Sequence, residues 1–542
     1  MQNQEWWRGA VIYQIYPLSF RDGNGDGKGD LAGVAAGLDY VASLGVDAVW
    51  IAPFFRSPMR DFGYDVADHC AVDPIFGTLE DFDALIERAH ALGLKVIIDQ
   101  VWGHTADIHP WFATGRTGRA GSTADWYVWA DPRPDGTPPN NWLSVFGGSA
   151  WTWEPRRRQY YLHHFLAQQP TLDLRNPKVV AAMLDIARFW LARGVDGFRL
   201  DAVDFLLHDR RLRDNPAKPA AGGVVPAKLF GLQHHVHDML QPDVTDLMQQ
   251  LRAVAEEFPG TALLGEVSSQ DGAFARIARY TEDGVGLHMA YTLRPLRQDT
   301  LPRALGEALD EIAEAGGSGW PCWAFSNHDV ERVASRWNPL RGLGAPPEPF
   351  VRMVLALLVA LRGSVCLYQG EELGLEEAQL DHGDLRDPFG IAYYPEFPGR
   401  DACRTPMPWR GDAAHAGFTT GPPWLPVGRT HFAVSIADQD DAPGSPLNAW
   451  RRFASWRKAH PALRKGTLER LSLPKPLIGF ERRLGSDRVL LVFNPSTEDA
   501  RAILPRGEWR PFDGEGVRID GRDAALAPFG FIAAALEPAM AL

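Results

Sequence analysis

Several short apolar runs in this chain carry a polar group at or just beyond their end. Asp99 and His104 come at the end of LKVIIDQV (94–101), and Arg199 and Asp201 lie in GFRLDAVD (197–204). Glu266 sits at the end of ALLGEV (262–267), and CWAFSNHD (322–329) ends in Asn327, His328 and Asp329. One aspartate in such a place is ordinarily a helix cap or a loop contact. Asp201, Glu266 and Asp329, three carboxylates after three apolar runs, make a chemical set with an arginine and two histidines. Retaining cleavage of a glycoside needs an ionised carboxylate as nucleophile and a protonated carboxyl as acid, about 5–5.5 Å apart. Arg199 stands two residues before Asp201, so both side chains leave a strand on one face. An arginine there is expected to keep Asp201 ionised. The apolar ALLG before Glu266 is expected to raise its pKa and hold it protonated. Metal catalysis, the competing use of clustered acids, lacks a histidine-rich, closely spaced ligand set.

These runs belong to a longer series. VIYQIYPLSF (11–20), VDAVWIAP (46–53), LHMAYT (287–292) and SVCLYQGEE (364–372) complete a set of eight candidate strands. Most gaps between them hold segments of helical period, such as 31–45, 78–93 and 177–194, each closed by a glycine. Thr78 ahead of Glu80 and Asp81 reads as a capped start. Strand and helix repeated eight times predict a closed (β/α)8 TIM barrel, whose active site lies at the C-terminal ends of the strands. Residues 103–172, rich in Trp, Pro, Gly and Asn, read as a domain B inserted after strand 3. After a last helix at 448–466 the pattern turns to short alternating runs such as VLLVFNP (489–495). The expected division is a barrel of 1–102 and 173–466, domain B, and a C-terminal antiparallel β-sandwich of 467–542.

Composition agrees with a globular enzyme. The chain has 542 residues, 45% hydrophobic and 23% charged, with a formal charge of −13. No Lys/Arg run offers a nucleic-acid footprint. Cys70, Cys322, Cys366 and Cys403 form no CxxC pair, which argues against a zinc or redox motif. The N-terminus MQNQEWWRGA lacks the charged and apolar regions of a signal peptide, and no apolar run reaches about 18 residues. A cytoplasmic monomer or homodimer without a membrane partner is expected. The 19 tryptophans suit sugar platforms as well as a core.

RDGNGDGKGDL (21–31) alternates possible oxygen donors: Asp22, Asn24, Asp26, the Lys28 carbonyl and Asp30. Gly27 falls where an EF-hand turns, but position twelve is Gly33 and the preceding element is a strand. This is therefore no EF-hand sensor. A solvated acidic turn is the plain alternative.

The motifs DQVWGH (99–104), GFRLDAVD (197–204), GEVSS (265–269) and FSNHD (325–329) resemble, in this order, those of the α-amylase superfamily of glycoside hydrolases. The nearest resemblance is to its α-glucosidase and oligo-1,6-glucosidase branch. DFGYDV (61–66), QPTLDLRNP (169–177), YQGEELGL (368–375) and GRDACRTPMPW (399–409) support it, so that it spans residues 10 to 410. It implies Asp201 as nucleophile, Glu266 as general acid/base and Asp329 as a third, transition-state acid. It implies that Asp61, Tyr64, His104, Arg199 and His328 hold the first glucose, with Phe146 and Phe165 beside it. Either Arg400 or Arg404 should reach that sugar. The loop at 21–31 is similar to a structural Ca²⁺ (or Mg²⁺) loop of oligoglucosidases, and no organic cofactor is implied.

Gly103 stands where relatives carry the Asn of an interdomain calcium site, so that site is not expected. QPTLD departs from the usual QPDLN, and Asp204 stands where Asn is common. Ala202, directly after the implied nucleophile, is small where α-1,6-preferring members have Val, which points to α-1,4 disaccharides. The Pro/Gly/Ala-rich segment 212–228 is either a cover over the acceptor side or a surface linker. The alternatives are an enzyme that isomerises sucrose or forms trehalose, and a non-enzymatic transporter subunit, which should carry a membrane span and lack the acids.

Overall fold

The computed structural model describes residues 5–219, 228–269, 271–284, 286–297, 301–315, 319–341 and 345–537, with only the main chain at 297, 302–304, 313 and 315. Eight parallel strands form its centre: β1 (Val11–Ile15), β2 (Ala48–Ile51), β3 (Lys95–Gln100), β4 (Gly197–Leu200), β5 (Ala262–Val267), β6 (Met289–Thr292), β7 (Cys322–Ala324) and β8 (Ser364–Tyr368). Their order is β6-β5-β4-β3-β2-β1-β8-β7, and a parallel bridge between Ala290 and Pro321 joins β6 to the start of β7. The ring is thereby closed as the eightfold pattern predicts.

Alternation decides what each strand residue faces. Val11, Tyr13 and Ile15 pack outward with the helices. Ile12 packs inward with Trp50, Ile97, Leu264, Met289, Tyr291 and Cys366. Both faces are buried, hence the near-continuous apolar strands.

Helices α1 (Leu31–Ser43), α2 (Leu79–Ala91), α3 (Pro177–Ala192), α4 (Val244–Glu256), α5 (Ala273–Tyr280), α6 (Leu301–Ala315), α7 (Glu348–Ala360) and α8 (Pro446–Ala459) follow the strands in turn. Asp30 caps α1 by accepting from the Gly33 N–H. Thr78 and Asp81 form a capping box at α2. Gly45, Gly93 and Gly194 leave α1, α2 and α3 at φ of +73°, +76° and +99°, which L-residues rarely adopt. The helix expected at 448–466 is two: α8 stops at Ala459 and a single short helix, Pro461–Lys465, follows. Pro461 has no N–H to continue the ladder. VIYQIYPLSF breaks likewise at Pro17, where Pro17–Phe20 form one helical turn.

Between β3 and α3 the strands Trp129–Ala130, Trp151–Glu154 and Gln159–Leu162 make a small antiparallel sheet. After α8, β9 (Thr467–Arg470), β10 (Ile478–Leu484), β11 (Asp487–Phe493), β12 (Ala500–Ile503), β13 (Trp509–Asp520) and β14 (Asp523–Leu536) form an antiparallel sheet. One face meets α7 and α8 through Phe350–Phe529 and Phe453–Phe531 ring contacts of 5.5 and 5.6 Å. On the other, Leu490, Val492, Ile532 and Ala534 pack with Ala502, Leu504, Ala524 and Leu526. No helix among the described residues is long and apolar enough to cross a membrane.

Candidate active site

The register sets Asp99 on β3 beside Arg199 on β4, and Glu266 on β5 beside Tyr291 on β6. Arg199, wholly buried, joins them all. Its Nη1 donates to Asp99 Oδ1 at 2.5 Å and to Asp201 Oδ1 at 2.8 Å. Its Nη2 donates to Glu266 Oε2 and, at 2.8 Å, to the Tyr291 hydroxyl. Trp50 packs 4.9 Å from the guanidinium and donates from Nε1 to Asp99 Oδ2 at 2.7 Å. β4 ends at Leu200, so Asp201 opens the turn beyond the strand.

Arg199 therefore does not serve Asp201 alone, and the expected division of one low and one high pKa is corrected. Burial pushes both Asp201 and Glu266 up to about 7, against the pull of Arg199. Asp99 and Asp329 push Asp201 further up, and Asp201 and Asp329 do the same to Glu266. Two raised carboxyls on one arginine can hold a single proton between them near neutrality. Asp99 is raised to about 6 by burial, with Arg199 opposing.

A second cluster faces this pair. Burial would raise Asp329, but His328, Arg400, Arg404 and Arg199 outweigh it and hold its carboxyl well below the usual range. Arg404 Nη2 lies 2.8 Å and Arg400 Nη1 3.3 Å from Asp329 Oδ1. Arg400 Nη2 also donates to Asp61 Oδ1 and Asp387 Oδ1, both at 2.8 Å. Arg404, almost wholly buried, instead donates from Nε to the His328 carbonyl at 2.6 Å. Burial raises Asp61 despite Arg400. Gln169 Nε2 donates to Asp61 Oδ2 at 2.9 Å and lies 3.1 Å from His104 Nε2. The His328 ring stacks on Tyr64 at 5.3 Å, with Gln14 Nε2 2.7 Å from its Nδ1 and the Tyr64 hydroxyl 2.6 Å from its Nε2. Burial lowers His328 and His104 to about 3, so both rings are neutral at pH 7.

Aromatic side chains flank this group. Phe146 lies 5.4 Å from the Arg400 guanidinium and 6.4 Å from Phe165, which lies 5.2 Å from His104. Each expected sugar-site residue thus has a contact within the network. Tyr291, Trp50, Gln14 and Asp387 were not anticipated. Tyr291 had a signal: by alternation it faces inward from LHMAYT as Glu266 does from ALLGEV. Asp387 had a weak one, as an Asp before Pro that caps the helix Pro388–Tyr393.

The loop at 21–31 stands apart from these contacts. Asp22 accepts from the Asn24, Gly25 and Gly27 N–H groups and from Thr419 Oγ1. Asn24 accepts from Asp26 N, Asp26 from Lys28 N, and Asp30 from Gly23 and Gly33 N. Among the described residues no group of three or more His, Cys, Asp or Glu side chains is placed to hold a metal. The donors themselves, all oxygens, suit a hard cation.

A family profile described as alpha amylase, catalytic domain, matches residues 14–466. A probable alpha-glucosidase of Rhizobium meliloti is 51% identical over 519 residues, covering 95% of this chain and 94% of the relative. An oligo-1,6-glucosidase of Heyndrickxia coagulans is 34% identical over 542 residues, covering 93% and 95%. Among solved structures, an alpha-glucosyl transfer enzyme, XgtA, superposes with a TM-score of 0.94 at 52% identity, over 98% of this chain and 99% of that one.

Proposed function

We propose that this chain, which belongs to the alpha-amylase family of glycoside hydrolases, is a retaining, exo-acting α-glucosidase for small α-1,4-glucosides such as maltose. The observation that carries this reading is the pair of carboxyls on one arginine, the part-exposed Asp201 and the buried Glu266, both raised to about 7. A pair that shares one proton presents a nucleophile and an acid together. Asp201 attacks the anomeric carbon while the glycosidic bond breaks, and Glu266 gives its proton to the departing oxygen. Glu266, now ionised, takes a proton from water, whose oxygen bonds the anomeric carbon as the Asp201 ester bond breaks. Asp329, kept anionic by Arg400 and Arg404, stabilises the positive charge that develops on the sugar in both steps. A sugar hydroxyl in place of water gives transglucosylation, in keeping with a solved relative named as an alpha-glucosyl transfer enzyme.

Arg400 is the arginine proposed to meet the first glucose. It bridges Asp61 and Asp329, packs against Phe146 and keeps 11% of its side chain exposed, whereas Arg404, also bonded to Asp329, is 1% exposed and tied by Nε to the His328 carbonyl beneath. Asp61, Tyr64, His104, Phe165 and His328 complete that subsite. The small Ala202 supports an α-1,4 acceptor.

The cover over the acceptor side rests on the described flanks of 212–228, since 220–227 lie outside the described residues. Arg213, Asp214 and Asn215 bond Trp142 and Asn141, and Ala217 pairs with Gln233. Lys228 lies 3.6 Å from the Phe389 ring, and Phe230 packs 6.2 Å from Phe205. These ties favour a cover over a free linker. Residues Asp22, Asn24, Asp26, Lys28 and Asp30 are proposed to hold a structural divalent cation.

A panel of maltose, isomaltose, sucrose, trehalose and maltotriose, with product identification, tests the reading. Glucose and transfer products from maltose support it. Faster isomaltose cleavage overturns the linkage, and an isomeric disaccharide as main product overturns the reaction.

A further inference from the structure

Asp204 carries a carboxylate that the reaction above does not use. Its carboxylate is buried, with 1% of the residue exposed. Oδ2 accepts the Ser269 N–H at 2.9 Å, and Oδ1 accepts the Tyr280 O–H at 3.3 Å. Arg276 Nε faces Oδ1 at 3.9 Å. The Asp204 carbonyl accepts the Leu240 N–H at 2.8 Å. One residue thus joins the turn after β4, the turn after β5 and helix α5.

The two reacting carboxyls stand on either side of this link. Asp201 lies three residues before Asp204. On the other side Ser268, next to Ser269, donates from Oγ to Glu266 Oε1 at 3.3 Å. Between Asp201 and Asp204 the chain passes through Ala202 at φ 40° and ψ 54°. That left-handed conformation is unfavourable for an L-residue with a Cβ. A strained residue persists only where its surroundings hold it. Val203 and Phe205 are apolar, so Asp204 is the side chain of this short turn that makes polar contacts beyond it.

We propose that Asp204 is a positioning residue that sets Asp201 and Glu266 against each other, by pinning the strained turn behind Asp201 to the Ser268–Ser269 turn that holds Glu266. This rests on the roles given to those two carboxyls above. Carboxylate chemistry suits the place, because its two oxygens take two donors and face a cation. Displacing Glu266 weakens protonation of the leaving group. That matters for maltose, whose leaving group is a sugar alkoxide, and little for p-nitrophenyl α-glucoside, whose nitrophenolate leaves without a proton.

The experiment compares kcat/KM for these two glucosides in the wild type, D204A, D204N and Y280F. D204A should lose about 10–100-fold on maltose and far less on the nitrophenyl glucoside, and its alkaline limb should move. D204N keeps an acceptor for Ser269 and should restore the ratio of the two to within about threefold, a change of only ~0.6 kcal/mol. Y280F should shift the ratio in the direction of D204A, by less. Equal losses on both substrates in D204A, or a D204N that fails to restore the ratio, overturn the proposal. Should D204A not fold, an unchanged ratio in Y280F overturns it. Failure of the underlying reading looks different, as activity on both glucosides that survives D201N.

Discussion

Two acidic regions of this chain look alike as sequence and differ in the fold. Asp99 and Glu266, buried on β3 and β5, and Asp201, part-exposed just past the end of β4, converge on Arg199. Asp22, Asp26 and Asp30 come from one loop, and their carboxylates are satisfied by neighbouring main-chain N–H groups and Thr419. The first arrangement concentrates unresolved charge, and burial lifts two pKa values to about 7. The second spends its oxygens on turns. Hydrogen bonds, chiefly from Thr419, Gly27, Gly25 and Asn24, outweigh partial burial and leave Asp22 below the ordinary carboxylate range. Reactivity here comes from acids that strands bring together and exclude from water, not from the number of acids in a stretch.

The same substitution in the two regions should break this likeness most sharply. D201N should lower kcat/KM on every glucoside on the order of 10⁴-fold or more with the fold retained. D22N should leave kcat within about threefold, about 0.6 kcal/mol. A similar loss in both would end the distinction.

The next effect is in pH. With one proton shared between carboxyls that both sit at about 7, kcat/KM should be bell-shaped about neutrality. The acid limb follows protonation of the ionised partner, and the alkaline limb follows loss of the proton from the acid. A profile flat from pH 5 to 9 on maltose would contradict the coupling. The linkage to stability has the opposite sense from an ordinary ion pair. Both folded values lie above the unfolded ones of 3.8 and 4.5, so the pair costs stability as pH rises from about 4 to 7.

A smaller loss is expected at Arg400. R400A removes a charged bond to Asp61 and one to Asp329, each worth about 1.5–3 kcal/mol, so KM should rise about 10–100-fold with the fold retained. An unchanged KM would remove Arg400 from the sugar site. The smallest effect belongs to the acidic loop. A cation at a hundredfold its Kd contributes about 2.7 kcal/mol, so chelation should lower Tm by about 2 °C for a chain of this size. Unchanged melting in a chelator would leave the loop a solvated turn.

The eight strands and the inward side chains Asp99, Arg199 and Glu266 were legible because strand alternation is local. Asp201 as a partner of Arg199 was legible from their spacing, but Asp99 and Glu266 were not, because they depend on the register Asp99↔Arg199 and on three neighbouring strands at once. Arg400, Asp387 and their bonds come from the irregular 385–404 segment, where no period tells which way a side chain turns. Pro461 was a visible signal for the break after α8 that the surrounding helical period masked.

Retention at the anomeric carbon follows from two inversions, the Asp201 ester forming opposite the departing sugar and water entering on the face that sugar left, and NMR of the first glucose released from maltose reads it. The account predicts α-glucose first, with the β-anomer growing only as fast as free glucose mutarotates. β-Glucose as the first product would mean direct attack by water and contradict the roles of Asp201 and Glu266.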